Sequence, residues 1–321
     1  MAGALITNTV TTYDVKGIRE DLSDAIYNIS PKDTPLISNG KFGRANQPFY
    51  EWQLDSLAAA VSNNQVVEGD DIGSTFDAFQ ATTRLGNYCQ ISRKTVLVSG
   101  TEEVTVKAGR KSELGYQIAK KSAELKRDME THAVANVAAV AGADATIRVS
   151  GSLVAFLKTN TQKGAAGVDP VYTTFPNNAR TDGTQQTFTE AMLKTGMSQA
   201  WTQGGKPEFV MVNSTQKQNI SAFAGVATRT FYQDAVEETA IIGAADVYVS
   251  DFGTISVVAN RFMRQREAFL LDPEFYGLMY LRPFFTEPLA KTGDAEKRLL
   301  LVEYGVKVHT EKAHAGIYDL L

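Results

Sequence analysis

Between Tyr50 and Val98 the chain reads as two extended runs around a polar tip, an arrangement that limits what the rest of the molecule can be. Tyr50-Glu51-Trp52-Gln53-Leu54 alternates aromatic or apolar residues with polar ones, the period of a half-buried strand. Ala58-Ala59-Ala60-Val61 follows, and Glu68-Gly69-Asp70-Asp71-Ile72-Gly73-Ser74 supplies an acidic, glycine-bracketed turn. A second run from Phe76 to Ser92 carries Phe79, Thr82, Leu85, Tyr88 and Ile91. Together they predict one long hairpin. Two strands cannot cover one another's faces in water, so a hairpin of this length needs another surface to lie on.

The flanking segments make the same demand. Residues 1–49 are rich in Thr, Asn, Ser, Gly and Pro; Ile18, Leu22, Ala25, Ile26 and Ile29 fall at helical spacing, and Ser30-Pro31 ends that run. Such a start buries little against itself and reads as an arm laid on something else. Residues 101–141 predict one long helix, with Thr101-Glu102-Glu103 at its start and Gly142 at its end. Leu114, Ile118, Leu125, Met129, Val137 and Val140 line one face, and Lys120/Glu124 and Lys126/Glu130 pair on the solvent side. Its length would be roughly 50–60 Å, suited to a spine. Residues 188–259 read as α/β: a helix at Thr189–Trp201, a buried strand at Phe209–Val212, a helix at Ser214–Phe223, and strands at Val247–Val249 and Ile255–Val258 around the Asp251-Phe252-Gly253 turn. Beyond residue 262 the chain is again β-rich, with runs at Ala268–Leu271, Tyr276–Leu281, Leu299–Tyr304 and Val306–Val308.

Chemistry-bearing patterns are few. The three histidines, His132, His309 and His314, form no metal-ligand spacing with each other or with Cys89. Gly204-Gly205-Lys206 lacks the upstream glycine of a phosphate loop and precedes a strand, so it reads as a tight turn. Asp251-Phe252-Gly253 matches a kinase tripeptide by letters alone. Glu68, Asp70 and Asp71 could offer oxygen ligands to calcium, but their spacing fits an exposed acidic tip better. No catalytic residue, cofactor or metal is predicted. An enzyme or carbohydrate-binding module has only the α/β portion in its favour.

The net charge of −4 gives no basic stripe for gripping nucleic acid in a sequence-specific way, although it is compatible with enclosing it. The 43% apolar content over 321 residues supports one large or two medium domains and argues against disorder. A single cysteine excludes an internal disulfide, and neither a signal peptide nor a run near 20 apolar residues is present, so synthesis in the cytoplasm is expected. The elements that need a neighbour point to a protein that assembles with copies of itself.

An ordered set of short stretches resembles the tailed-phage major capsid proteins typified by the phage SU10 major head protein, within the HK97-fold group. They are Arg19-Glu20-Asp21-Leu22-Ser23, Ile26–Pro31, Asp33–Leu36, Glu51-Trp52-Gln53, Asp55–Ala58, Ala108-Gly109-Arg110, Tyr116-Gln117, Glu124–Asp128, Leu271–Glu274, Tyr280–Pro283, Glu287–Asp294 and Glu311–His314. The resemblance implies an α+β, HK97-like fold. It assigns an N-terminal arm to residues 1–48, an extended β-hairpin loop to 49–98 and a peripheral domain with its spine helix to 99–142. An α/β axial domain covers 143–285, and C-terminal strands returning to the peripheral domain cover 286–321. It further implies hexamers and pentamers in an icosahedral shell around double-stranded DNA held without sequence-specific contacts, inside a virion. Portal, scaffold or decoration proteins are partners such a shell takes; no covalent cross-link, fused scaffold or membrane association is expected. An encapsulin-like shell around protein cargo is the alternative. Subunit-interface candidates are Tyr50, Trp52, Glu68, Asp70, Asp71 and Phe76, with core packing the competing role for the aromatic ones. Removal of residues 55–90 is expected to leave a soluble chain that forms no stable shell.

Overall fold

The computed structural model describes residues 33–69, 71, 76, 79–107, 109–223 and 247–321. The expected helix at Ile18–Ile29 and most of the arm lie outside the described residues, as does Asp70.

Two sheets share one core. The first has the order β1-β10-β11-β4, formed by Lys41–Arg44, Tyr276–Pro288, Ala295–Val308 and Gln90–Ser99. The second has the order β5-β12-β9-β6-β8-β7, formed by Thr161–Gln162, Ala315–Tyr318, Glu267–Leu271, Phe209–Val212, Gly253–Ala259 and Val247–Ser250. A separate ribbon pairs β2 (Phe49–Leu54) with β3 (Thr83–Tyr88). The helices are α1 (Pro35–Asn39), α2 (Gly100–Val104), α3 (Glu113–Val134), α4 (Leu153–Phe156), α5 (Glu190–Thr202) and α6 (Ser214–Ser221).

Strand periodicity explains how one sheet serves two cores. In β6, Phe209 and Met211 join the core shared with α3, α4 and β11, while Val210 and Val212 join the core beneath α5 and α6. In β9, Phe269 and Leu271 take the first side and Ala268 and Leu270 the second. Alternate side chains of a strand point to opposite faces, so an unbroken apolar run means a strand covered on both.

Three expectations change. The long helix is two helices. α2 stops at Val104 and α3 begins after Ser112, whose side chain accepts the Gly115 N–H. Val104, Thr105 and Val106 are β-branched and poor helix formers, and Gly109 sits at φ +76°, a backbone region open to glycine at little cost. At its other end α3 stops at Val134, because Asn136 turns its amide onto the Arg180 backbone and Val137 N–H reaches Ser152 Oγ. Its 22 residues span about 33 Å, not 50–60 Å. Gly142 does not end a helix; it lies at φ +76° in a turn between the bridged residues Val140 and Val149.

The expected Lys126/Glu130 surface pair does not form. Glu130 is fully buried and its carboxylate accepts the Leu36 N–H (2.8 Å), the Ile37 N–H (3.0 Å) and the Asn260 amide (2.6 Å). It therefore ties the start of α1 to the spine. On the surface Lys121 pairs with Glu124 instead, at 2.7 Å.

The chain joins the first sheet with β10 from Tyr276 and leaves it for β12 in the other sheet. Pro283 disguises the length of β10. A proline donates no ladder hydrogen bond, and the β10–β11 register shifts between Tyr280 and Phe285 to accommodate it.

Candidate assembly surfaces

The predicted hairpin is paired only at its base. β2 and β3 run in register from Phe49↔Tyr88 to Leu54↔Thr83, and the described residues between 55 and 82 form no strand and are exposed. Phe76 to Thr82 was expected to continue the second strand; among the described residues of that stretch Phe76 and Phe79 are exposed and unpaired in any strand, and pairing stops at Thr83. The base is held firmly. Tyr50 Oη donates to Val306 O (2.7 Å), and buried Asn87 donates through Nδ2 to the same carbonyl (2.6 Å) and to Gly151 O (3.0 Å). Trp52 Nε1 donates to His309 O at 3.1 Å.

The interface candidates therefore separate. Tyr50 is buried, and burial raises its phenol well above the usual range; Trp52 is half-buried, stacked on Tyr50 with ring centroids 6.0 Å apart. Both pack and hydrogen-bond within the subunit at the base of the ribbon. Glu68 and Asp71 are exposed, and Phe76 is 79% exposed. The loop also presents Leu57 (98%), Val61, Val66, Val67 and Phe79 (91%), of which Val61 and Phe79 were expected within the extended runs. Their signal in the sequence was apolar residues scattered without period-2 alternation through a segment rich in Ser, Asn and Gln.

A second apolar surface went unread. Trp201 at the end of α5 is 59% exposed and lies 5.5 Å from Phe252 in the β7–β8 turn, beside half-exposed Val247 and Val249 on the edge strand β7. Gly204-Gly205 is the expected tight turn: Gly204 has φ +91°. Two of the histidines are held within the fold. His132 Nε2 meets Ser150 O at 2.9 Å, and His314 is fully buried with Nδ1 accepting the Asp272 N–H.

Behind these surfaces lies a buried ionic cluster that clasps the 163–187 segment to the last strand. Arg180, its side chain wholly buried, donates to both carboxylate oxygens of Asp319 (3.0 and 3.3 Å) and to Asp182 (3.0 Å) while stacking 4.0 Å over the Tyr318 ring. Arg266 reaches Asp319 at 2.7 Å, and Gly183 N–H adds a further bond at 2.9 Å. Burial raises Asp319, but the Arg180 hydrogen bond and the Gly183 N–H outweigh it and hold the carboxyl at about 2. Glu267 is the reverse case: burial pushes it to about 7, against the pull of Arg264 at 3.1 Å, and neither oxygen receives a hydrogen bond from the described residues.

The sign of each effect on stability follows. Asp319, depressed, stabilises the fold above about pH 4 and loses that contribution as pH falls toward 2. Glu267, raised, binds its proton more tightly in the fold, so stability falls as pH rises from about 4.5 through 7, by roughly 3 kcal/mol in all. Glu267→Gln is expected to flatten that decline. Urea midpoints of the unassembled subunit at pH 5, 6, 7 and 8 measure it, and parallel profiles for the two proteins would exclude Glu267 as the cause.

A paired ribbon carrying a long exposed loop, a sheet under a long helix, and a second α/β sheet define a shell subunit of the HK97-like capsid type. Solved structures agree on that fold: the capsid asymmetric unit of cyanophage A-1(L) matches with a TM-score of 0.67 at 13% identity over 98% of this chain and 99% of that one. The encapsulin complex of Synechococcus elongatus matches with a TM-score of 0.54 at 10% identity over 94% and 92%, so the fold alone spans both shell types. The sequence decides between them. Residues 5–321 match the SU10 major capsid protein family, and the chain belongs to it. The major capsid protein of Escherichia phage Phieco32 is 27% identical, with 95% of each chain covered. This is a major capsid protein of a tailed phage, a component of the virion shell built from many subunits. Among the described residues no helix is long and apolar enough to cross a membrane.

Proposed function

We propose that the subunit closes into an icosahedral head of hexamers and pentamers around double-stranded DNA, and that its extended loop is the principal fastening between copies. The observation that carries this reading is the loop itself: Leu57, Val61, Val66, Val67, Phe76 and Phe79 are all at least 66% exposed on a ribbon whose base is locked. Large apolar groups gathered on one exposed segment mark a contact surface. Each subunit offers its loop to a neighbour and receives another, so modest contacts add around closed rings. The acidic tip, with Glu68, Asp70 and Asp71, seats at the rim of that contact. The work is mechanical and not catalytic, and calls for no cofactor. The net charge of −4 favours DNA enclosed without base-specific contacts. Assembly follows synthesis in the host cytoplasm, and portal, scaffold or decoration proteins complete the head.

Negative-stain microscopy and light scattering of the purified chain test the proposal, together with assay of co-purifying material. Shells or capsomer rings, with nucleic acid where shells form in cells, are expected. A small monomer under every condition would refute it, and shells filled with one cargo protein would favour a compartment.

A further inference from the structure

Where α1, β1, α3 and β10 meet, an open apolar groove of about 660 Å³ runs along the surface, and nothing in the subunit's described residues fills it. Its walls are Ile37, Phe42, Met129, Tyr280 and Phe284, with Lys126 on the rim. Phe42 is 60% exposed although its ring lies 6.0 Å from that of Tyr280, and Lys126 Nζ sits 6.0 Å from the Phe284 ring. A concave strip of aromatic and aliphatic groups with one cation at its edge suits an amphipathic helix carrying acidic residues beside its apolar stripe.

We propose that residues 18–29 of the same subunit occupy this groove as such a helix. Three observations select this occupant. The stripe is there: Ile18, Leu22, Ile26 and Ile29 fall on one face, with Asp21 at its border, opposite in sign to Lys126, and Glu20 and Asp24 on the outer face. A 12-residue helix would be about 18 Å long, a length that lays three or four anchors along a groove of this kind. The tether is short: Thr34 itself lines the groove, and only Ser30 to Asp33 lie between it and Ile29. Ile29 to Thr34 is five residue steps, a reach of at most about 18 Å, which favours the subunit's own groove over a neighbour's. Pro31 sets the bend, because the residue before a proline avoids the helical region, so the segment folds back instead of running on into α1. The arm then has two parts: residues 18–29 are fixed to the spine, and residues 1–17 are left to reach a neighbouring copy.

The test is disulfide trapping in the full chain, with buried Cys89 left in place. Cysteine is introduced at Phe42, already exposed, and paired in turn with Leu22→Cys, Ile26→Cys or Tyr27→Cys, the last on the opposite face. After mild oxidation, a non-reducing gel is expected to show a fast-migrating internally linked monomer for the Leu22 or Ile26 pair, roughly fivefold above the Tyr27 pair, since a disulfide forms only between closely approaching cysteines. Multimer ladders in place of that band would place the segment on a neighbouring subunit and overturn the proposal. Equal or absent linking from both faces would overturn it too.

Discussion

Subunits in which residues 57–80 are replaced by Asn-Gly will fold as the wild type does and will fail to close into shells. The two halves of the expectation rest on different parts of the ribbon. Folding survives because everything that holds the base lies outside the excision: β2 and β3 remain paired from Phe49↔Tyr88 to Leu54↔Thr83, and the Tyr50, Asn87 and Trp52 hydrogen bonds to Val306 and His309 are untouched. Asn-Gly supplies the positive-φ turn that joins two antiparallel strands. Assembly fails because the excision removes Leu57, Val61, Val66, Val67, Phe76 and Phe79 together. Two aromatic anchors at about 2 kcal/mol each make about 4 kcal/mol per contact, close to a thousandfold in affinity before rings multiply it. Sedimentation velocity for shells and a thermal melt for the fold read the two halves separately. Normal shells from this variant would remove the loop from its proposed role. The wider deletion of residues 55–90 is a poorer test, since it also takes β3, buried Asn87 and buried Cys89 and would unfold the base.

The same ribbon shows how far the sequence could be read. Its alternating start, Tyr50 to Leu54, was legible because alternation reports one covered face, and that face is covered by Val306 and His309. Its length was not: Phe76 to Thr82 carry strand-like residues, yet the described residues between 55 and 82 form no strand, and residue types alone do not say where pairing stops. β6 and β9 were legible for a simpler reason: unbroken apolar runs between turn residues are covered on both faces here. The ends of the spine helix were hidden. Glu103 Oε2 accepts the first N–H groups of α3, Glu113 and Leu114, from outside the helix, and Asn136 draws the chain away at the other end. Periodicity carries no trace of such contacts. Glu130 at a helical position looked like a surface partner for Lys126 by spacing alone; only the fold brings α1 and Asn260 onto it. Of the exposed apolar patches, the loop was legible and the Trp201–Phe252 pair was not, since those two residues meet only when α5 packs beside the β7–β8 turn.

Least legible of all was the clasp around Asp319, whose partner Arg180 lies 139 residues away in the chain, and its loss should be the costliest single substitution in the subunit. Arg180→Met is expected to lower stability by about 3–5 kcal/mol, the range for breaking a buried pair from one side. The size comes from what is left behind. Asp319 stays fully buried with only Arg266 and backbone N–H groups to hold its charge, and the stacking over Tyr318 is lost. Methionine fills similar volume, so a cavity is not the main cost. The double variant Arg180→Met, Asp319→Asn separates charge from packing. Asp319 sits at φ +61°, a conformation asparagine adopts readily, so the backbone that gives its carbonyl to Gln186 N–H is kept. With the stranded charge gone, the double variant should regain roughly half of the loss in urea-midpoint measurements, as expected when a buried pair is replaced on both sides. If instead the two substitutions add, the cluster stabilises by shape and not by paired charge, and the 163–187 segment must be held to the C-terminal end of the chain by its other bonds, such as Gln186 Nε2 to Tyr318 O and Gln185 Nε2 to Leu320 O.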